Sequence, residues 1–374
     1  MQTIGSRLDA NRGQGKGFDG LRLGLALGVM CWHAFALTAP DWRALNSASL
    51  WMLGYAILPI FFGLSGFLVT GSALRNTLQQ FAINRIFRIV PALLVDTLVT
   101  ILILGPLLTD VPIARYFASP VTHAYLLNIV GEIHYYLPGV FTHNPYPGVV
   151  NGSLWTISPE LGCYILIGAL IAVRGVGDWR GTCGMLIAFV ATWLLAHYYP
   201  WREHHVGIGW LQSPNAYLIP LFLMGSLAFH LRDDIVYSRR LAAFCLIVLA
   251  LTGSLLDGRQ VWSAPPFVLL TAPMLIYLML FLGVTSLPRI GFYTTGDYSY
   301  GIYLYGFPLE QAIIELSGWR SPWLVTAAAV PLTTLMAALS WHCVEKQALR
   351  LRKHIARNNH APIRPVQQPG TPFP

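Results

Sequence analysis

The sequence predicts an all-α, polytopic integral membrane protein of about ten transmembrane helices with both termini in the cytoplasm. Three observations carry that expectation. Only 11% of the 374 residues are charged while 55% are hydrophobic, and mean hydropathy is +0.55. Soluble chains carry roughly 25% charged residues, so this composition suits the bilayer as solvent. Largely apolar segments of about 20 residues, enough to cross the hydrocarbon core as a helix, recur along the whole chain. Lys and Arg crowd alternate connections, as the positive-inside rule expects.

The predicted spans are 19-39, 50-73, 89-109, 154-173, 181-199, 214-231, 239-257, 265-287, 297-316 and 322-343. Ahead of them, residues 1-17 (MQTIGSRLDANRGQGKG) are polar and read as a cytoplasmic tail that cannot bury enough surface to order itself. Leu21 to Trp32 followed by Ala34-Phe35-Ala36 has the outline of a cleavable signal peptide. Arg22 and His33 interrupt it and the segment is of membrane length, so residue 1 is expected to be kept. Between the second and third spans, RNTLQQFAINRIFR (75-88) is amphipathic and reads as an interfacial helix. The long connection 110-153, rich in Pro and carrying His123, His134 and His143, faces outward on this topology as a lid or an acceptor surface. Residues 351-374 read as a second cytoplasmic tail, disordered. No 20-50-residue repeat and no soluble second domain interrupts 18-350.

With the N-terminus inside, outward loops hold only Arg43, Arg115, Arg202, Arg259 and Arg320 of the 24 Lys and Arg residues, and Arg22 lies within the first span. The net charge of +8 is then accounted for by cytoplasmic segments facing anionic lipid, with no nucleic-acid partner implied. Cys31, Cys163, Cys183, Cys245 and Cys343 lie singly in predicted helices and read as small buried residues. His197, His204, His205, His230 and His342 show no metal-ligand spacing beyond the adjacent 204-205 pair, so no metal site is expected.

Ionisable residues inside apolar spans mark function, because insertion of Arg at a helix centre costs about 2.5 to 3.5 kcal/mol. Arg22 and His33 are eleven residues apart in the first span, which returns them to one helix face about 16 Å apart. Arg85 and Arg88, one turn apart and followed by Pro91, can aim at one anion; lipid phosphate is the plainer target. Glu160, just after Trp155 near the outer end of the fourth span, needs a partner: either it orients His33 or it pairs with an Arg. Asp96 is a further ionisable group in the third span with no assigned partner. Ser65 and Gly66 allow close helix approach, or passage of a thin ligand.

The motifs FDGLRLGLALGVMCWHA (18-34), PIFFGLSGFLVT (59-70), FAINRIFRIVPALL (81-94), NGSLWTISPELGCY (151-164), GDYSYGIYLYGFPLE (296-310) and HCVEKQALR (342-350) come in an order that resembles the membrane acyltransferase-3 family. The resemblance covers about 18 to 350 and implies one transmembrane acyltransferase domain. The implied activity is transfer of an acyl group, usually acetyl, from cytoplasmic acyl-CoA to a hydroxyl of a polysaccharide, lipopolysaccharide or lipid-linked glycan. It implies a multi-pass protein of the cell inner or plasma membrane and no tightly bound cofactor, acetyl-CoA being the donor substrate. His33 would be the general base, an acyl-imidazole being the covalent variant, with Glu160 tuning it. Arg22, Arg85, Arg88, Ser65 and Gly66 would hold the donor, Arg22 either binding phosphate, fixing Asp19 or snorkelling to the interface. Asp19, Asn151, Trp155, Tyr300 and Tyr303 match family positions on the substrate side, or serve as interface and core groups.

Three departures stand out. Tyr303-Leu304-Tyr305-Gly306-Phe307-Pro308 lacks the His that the family often carries there. Ile157-Ser158-Pro159-Glu160-Leu161 keeps one Glu and adds a Pro expected to bend the fourth helix. Val344-Glu345-Lys346-Gln347 lacks the usual Pro. The competing classes are a secondary transporter of a small anion or glycan precursor, with the same Arg, His and Glu coupling protons, and a non-catalytic subunit of a glycan-export complex.

Overall fold

The structure, a computed structural model, describes residues 2-11, 15-39, 51-173, 175-198, 214-287 and 291-358. Arg12, Arg43, Arg174, Arg202, Arg289, Arg364, the His204-His205 pair and the tail beyond 358 lie outside these, as do the side chains of Lys353 and Arg357. The described chain is helical, with no strand. We label its long helices α1 (Phe18–Thr38), α2 (Trp51–Ala73), α3 (Leu78–Val99), α4 (Ile157–Ala172), α5 (Trp179–Tyr198), α6 (Leu218–His230), α7 (Arg239–Leu255), α8 (Pro265–Val284), α9 (Ser299–Ser317) and α10 (Pro322–Ser340).

Seven helical segments among the described residues are long and apolar enough to cross a membrane: α1, α2, α4 with its preceding turn, α5, α8, Leu78–Leu108 and Pro322–Arg352. The other three expected spans are also helices. However, α6 and α7 have 13 and 17 residues, and α9 sets Glu310, Gln311 and Glu315 among its apolar positions.

Four local expectations differ. The stretch 75-88 is not a separate interfacial helix: α3 starts at Leu78 under a Thr77-Gln80 capping box and runs through Pro91 into a π turn, Thr100–Leu104. Pro159 does not bend α4. It is the helix's third residue, after a 3-10 turn over Gly152–Thr156, where the missing N–H has no intrahelical partner to lose. Residues 2-11 are not a loose tail, because Ile4–Ala10 is a helix closed by a Thr3-Ser6 capping box, with Ile4 fully buried. The Ile4 and Gly5 amides donate to Ile235 and Arg232 carbonyls, both at 2.8 Å, and Arg7 lies 3.9 Å over the Tyr237 ring. At the other end, 351-358 continue the helix that follows α10 through the π turn Trp341–Glu345.

Close backbone approach sets the packing. α2 lies along α6, where a Cβ on Gly66 would stand 1.9 Å from the Phe222 carbonyl oxygen and one on Gly225 would stand 2.0 Å from that of Gly63. Thr70 Oγ1 donates to Ser226 Oγ at 2.6 Å in the same seam, both residues fully buried. Without a hydrophobic drive between helices in lipid, this small-residue contact and its hydrogen bond replace it. α1 packs against α2, α8, α9 and α10, so the helix carrying Arg22 and His33 is central to the bundle.

Gly66→Ala is expected to destabilise the protein by about 1 to 3 kcal/mol, since the blocking atom is backbone and the two helices must part. Thermal unfolding in detergent would register it, with Gly24→Ala, whose Cβ meets nothing within 4 Å, as the unchanged control. Equal melting temperatures for the two variants would refute the seam.

Candidate active site

A cavity of about 560 Å³ opens beside α1, walled by α1, α2, α3, α4 and α9. Four cations line it, Lys16, Arg22, Arg85 and Arg88, together with Asp19, Glu160 and the phenols of Tyr164, Tyr300 and Tyr303. Phe61, Phe62, Leu64 and Leu68 give it an apolar side from α2.

The cations differ in what holds them. Asp297, in the turn before α9, accepts from Arg88 Nη2 at 2.7 Å and from Arg22 Nη1 at 3.4 Å through one oxygen, Oδ2. Ser299 Oγ donates to its other oxygen at 2.7 Å. Arg88 Nη1 also stands 3.9 Å from Glu345, which accepts from Ser340. Arg85 forms no ion pair among the described residues. Its guanidinium lies over the rings of Tyr164 at 5.5 Å and Phe81 at 5.9 Å, and its Nε has no hydrogen-bond partner. Lys16 likewise makes no ion pair among the described residues.

The structure gathers many of the expected site residues and redirects several. Ser65 lines the cavity, whereas Gly66 faces the α6 backbone. Asp19 is 96% exposed and 3.9 Å from Arg22, which stands closer to Asp297, at 3.4 Å. Glu160 does not touch His33: it accepts a 2.5 Å hydrogen bond from Tyr164 on the next turn of α4, on the same wall as Arg85 and Arg88. Asn151 lies fully buried away from the cavity. Its Nδ2 donates to Asp96 Oδ2 at 3.2 Å and to the Leu304 carbonyl at 3.0 Å, which supplies the partner that Asp96 lacked. Trp155 packs half-buried against the main core. Tyr300 donates to the Ile89 carbonyl at 3.4 Å, and Tyr303 donates to the Ser153 carbonyl at 3.1 Å with Thr156 Oγ1 at 2.6 Å, so both phenols line the cavity while tying α9 to its neighbours.

His33 is not among the lining side chains. Its ring meets the edge of Phe307 at 5.1 Å between centroids and 78° between planes. Phe307 is four residues, one turn, beyond Tyr303, which does line the cavity and touches Phe61 at 6.1 Å. Cation-lined space at the Arg22 end of α1 and an imidazole one turn of α9 beyond it are thus laid along a single helix. Asp297, Tyr164 and Glu345 are the residues that sequence reasoning passed over. Asp297 stood inside the quoted GDYSYG motif, where an acid opening a span beside two intramembrane arginines was the available signal.

The acyltransferase domain family matches residues 16-342. Nodulation protein 10 of Rhizobium leguminosarum bv. viciae is 27% identical over 371 residues, covering 93% of this chain and 97% of its own. An O-acetyl transferase of Shigella phage Sf6 is 28% identical over 341 residues, covering 89% of this chain and 95% of its own. No solved structure gives a significant match. A family match from ahead of α1 to the end of α10, on a bundle of membrane-length helices around this cavity, makes the chain a member of the acyltransferase domain family and a multi-pass membrane acyltransferase.

Proposed function

We propose that the protein is a membrane O-acetyltransferase that takes acetyl from cytoplasmic acetyl-CoA and places it on a hydroxyl of a polysaccharide, lipopolysaccharide or lipid-linked glycan. The observation that carries this reading is the cation-lined cavity at one end of α1 with His33 toward the other. The name of the Sf6 phage relative supports acetyl as the group moved. On this reading about ten helices span the inner or plasma membrane, both termini are cytoplasmic, and the cavity opens to the cytoplasm.

The donor's phosphates meet Arg85 and Lys16, the lining cations without a carboxylate partner among the described residues, because Arg22 and Arg88 are already shared with Asp297. The thin arm of the thioester follows α1 between Phe61 and Tyr303 toward His33. A glycan hydroxyl attacks the thioester carbonyl there. Its C–O bond forms as the C–S bond breaks, His33 takes the hydroxyl proton, and the proton passes to the departing coenzyme thiolate. Glu160 and Tyr164 hold the wall beside Arg85.

His33→Ala should lower acetyl-CoA-dependent ester formation on the glycan by about 10² to 10⁴-fold in membranes where the protein is still inserted. Undiminished ester would sink the assigned base. Arg85→Ala should weaken acetyl-CoA binding by roughly 10-fold or more, the worth of a charge-assisted hydrogen bond, with the loss shrinking at high salt. Equilibrium binding to purified protein gives the answer, and wild-type affinity in the variant would move the phosphates elsewhere. Asp297→Asn should cost about 1 to 3 kcal/mol of stability, between the cost of losing an exposed pair and a fully buried one, because it leaves two guanidiniums short of their counter-charge. A melting temperature equal to wild type would show that the shared carboxylate holds nothing together.

A further inference from the structure

The connection 110-153 is a folded cap and not a loose lid. Tyr116, Tyr125, Val140, Phe141 and Val150 are fully buried in the main core. The segment 135-150 doubles back on itself: Val150 N–H donates to the Tyr135 carbonyl at 2.7 Å, and Tyr136 and Val149 form an isolated antiparallel bridge. Gln311 fastens the doubled segment to α9. Buried completely, its Nε2 donates to the carbonyls of Tyr146 at 2.8 Å and Val149 at 2.9 Å, while its Oε1 accepts from Asn144 at 2.9 Å. Such effort fixes the three tyrosines of this segment one turn of α9 beyond Phe307, the ring that touches His33.

Tyr146 meets Phe307 edge to face at 6.3 Å, and Tyr135 meets Tyr136 in the same way at 6.4 Å. Burial, and after it the phenols of Tyr146 and Tyr136, raise the Tyr135 hydroxyl above its ordinary pKa, so the three groups share one neighbourhood. Tyr136 remains 56% exposed, with Gly148, at φ +76°, in contact range of its ring. Exposed hydrogen-bonding groups stand on the same cap: Glu132 at 66% and Asp110 at 49%.

We propose that Tyr135, Tyr136 and Tyr146, held by Gln311, form the acceptor site, and that its ligand is a sugar ring stacked on the exposed Tyr136 face with its hydroxyls directed to the cap's carboxylates and phenols. The inference rests on the glycan reading above and deepens it. An aromatic face carries negative charge and attracts the polarised C–H edge of a pyranose, and carboxylates accept from its hydroxyls. An exposed aromatic ring on a cap that also carries exposed carboxylates, Glu132 beside His134 and Asp110 beside Thr142, suits a carbohydrate better than a lipid tail, which needs no carboxylate. Tyr146 touches Phe307 and Phe307 touches His33, so the platform lies one ring away from the base that a bound sugar hydroxyl must reach.

The test uses full-length protein in native membranes, with the surface glycan extracted from cells lacking this gene as acceptor and radiolabelled acetyl-CoA as donor. Tyr136→Ala should raise the KM for glycan about tenfold while acetyl-CoA binding stays at wild type, and Tyr136→Phe, which keeps the ring, should restore a near-wild-type KM. If wild type acetylates the glycan and Tyr136→Ala does so with an unchanged KM, the platform is overturned and the glycan reading survives. If Tyr136→Ala only lowers the amount of inserted protein, the ring is a bilayer anchor and the platform is equally overturned. If wild type esterifies no glycan at all, the glycan reading itself fails and takes this inference with it.

Discussion

One carboxylate oxygen serves two guanidiniums. Asp297 Oδ2 receives Arg88 from α3 and Arg22 from α1, while Asp297 itself sits at the start of α9. All three groups are half-buried, so none of the charges is left alone without cost: losing the shared partner costs about 1 to 3 kcal/mol, between an exposed pair and a fully buried one. The three helices are therefore tied at one point, and Glu345 brings the end of α10 to the same Arg88. The cavity lies beside this junction, with both arginines in its lining.

This arrangement also sorts the cations by availability. Arg22 and Arg88 share the one carboxylate of Asp297, whereas Arg85 rests on aromatic rings that attract but do not discharge it. An anion entering the cavity thus meets the last two turns before Pro91 with charge to spare on one side and a fixed ion cluster on the other. The apolar wall from α2 continues from there toward Phe61 and Tyr303.

Away from the charges, satisfied polar groups join the cap to the helices. Asn151 bonds to Asp96 and to the Leu304 carbonyl, Tyr303 to Thr156 and Ser153, and Gln311 to Tyr146 and Val149. Each links a loop residue to α3 or α9, and each buried donor left unpaired would cost about 1 to 3 kcal/mol.

Much of the helical layout was legible in the sequence, because apolar length and the period of 3.6 are local properties: α1, α2, α5 and α8 fall close to their expected bounds. The ordered motifs grouped Arg22, Arg85, Arg88 and Ser65 as donor-holding and put Tyr300 and Tyr303 on the substrate side; it was the fold that set all six around one cavity. Tertiary structure alone decided the partners. Glu160 went to Tyr164 instead of His33, Asn151 to Asp96, and Gly66 to α6, because which face of a helix meets which neighbour depends on the packing of the whole bundle. It likewise docked Ile4–Ala10, whose two buried side chains are too few to announce themselves in a polar segment. The sequence by itself determined a helical membrane protein with an Arg and a His on one face of its first span. Only the fold could choose Asp297 as the shared counter-charge, since residues 22, 88 and 297 lie far apart in the chain and meet only where three helices pack around a half-buried junction whose charges need partners.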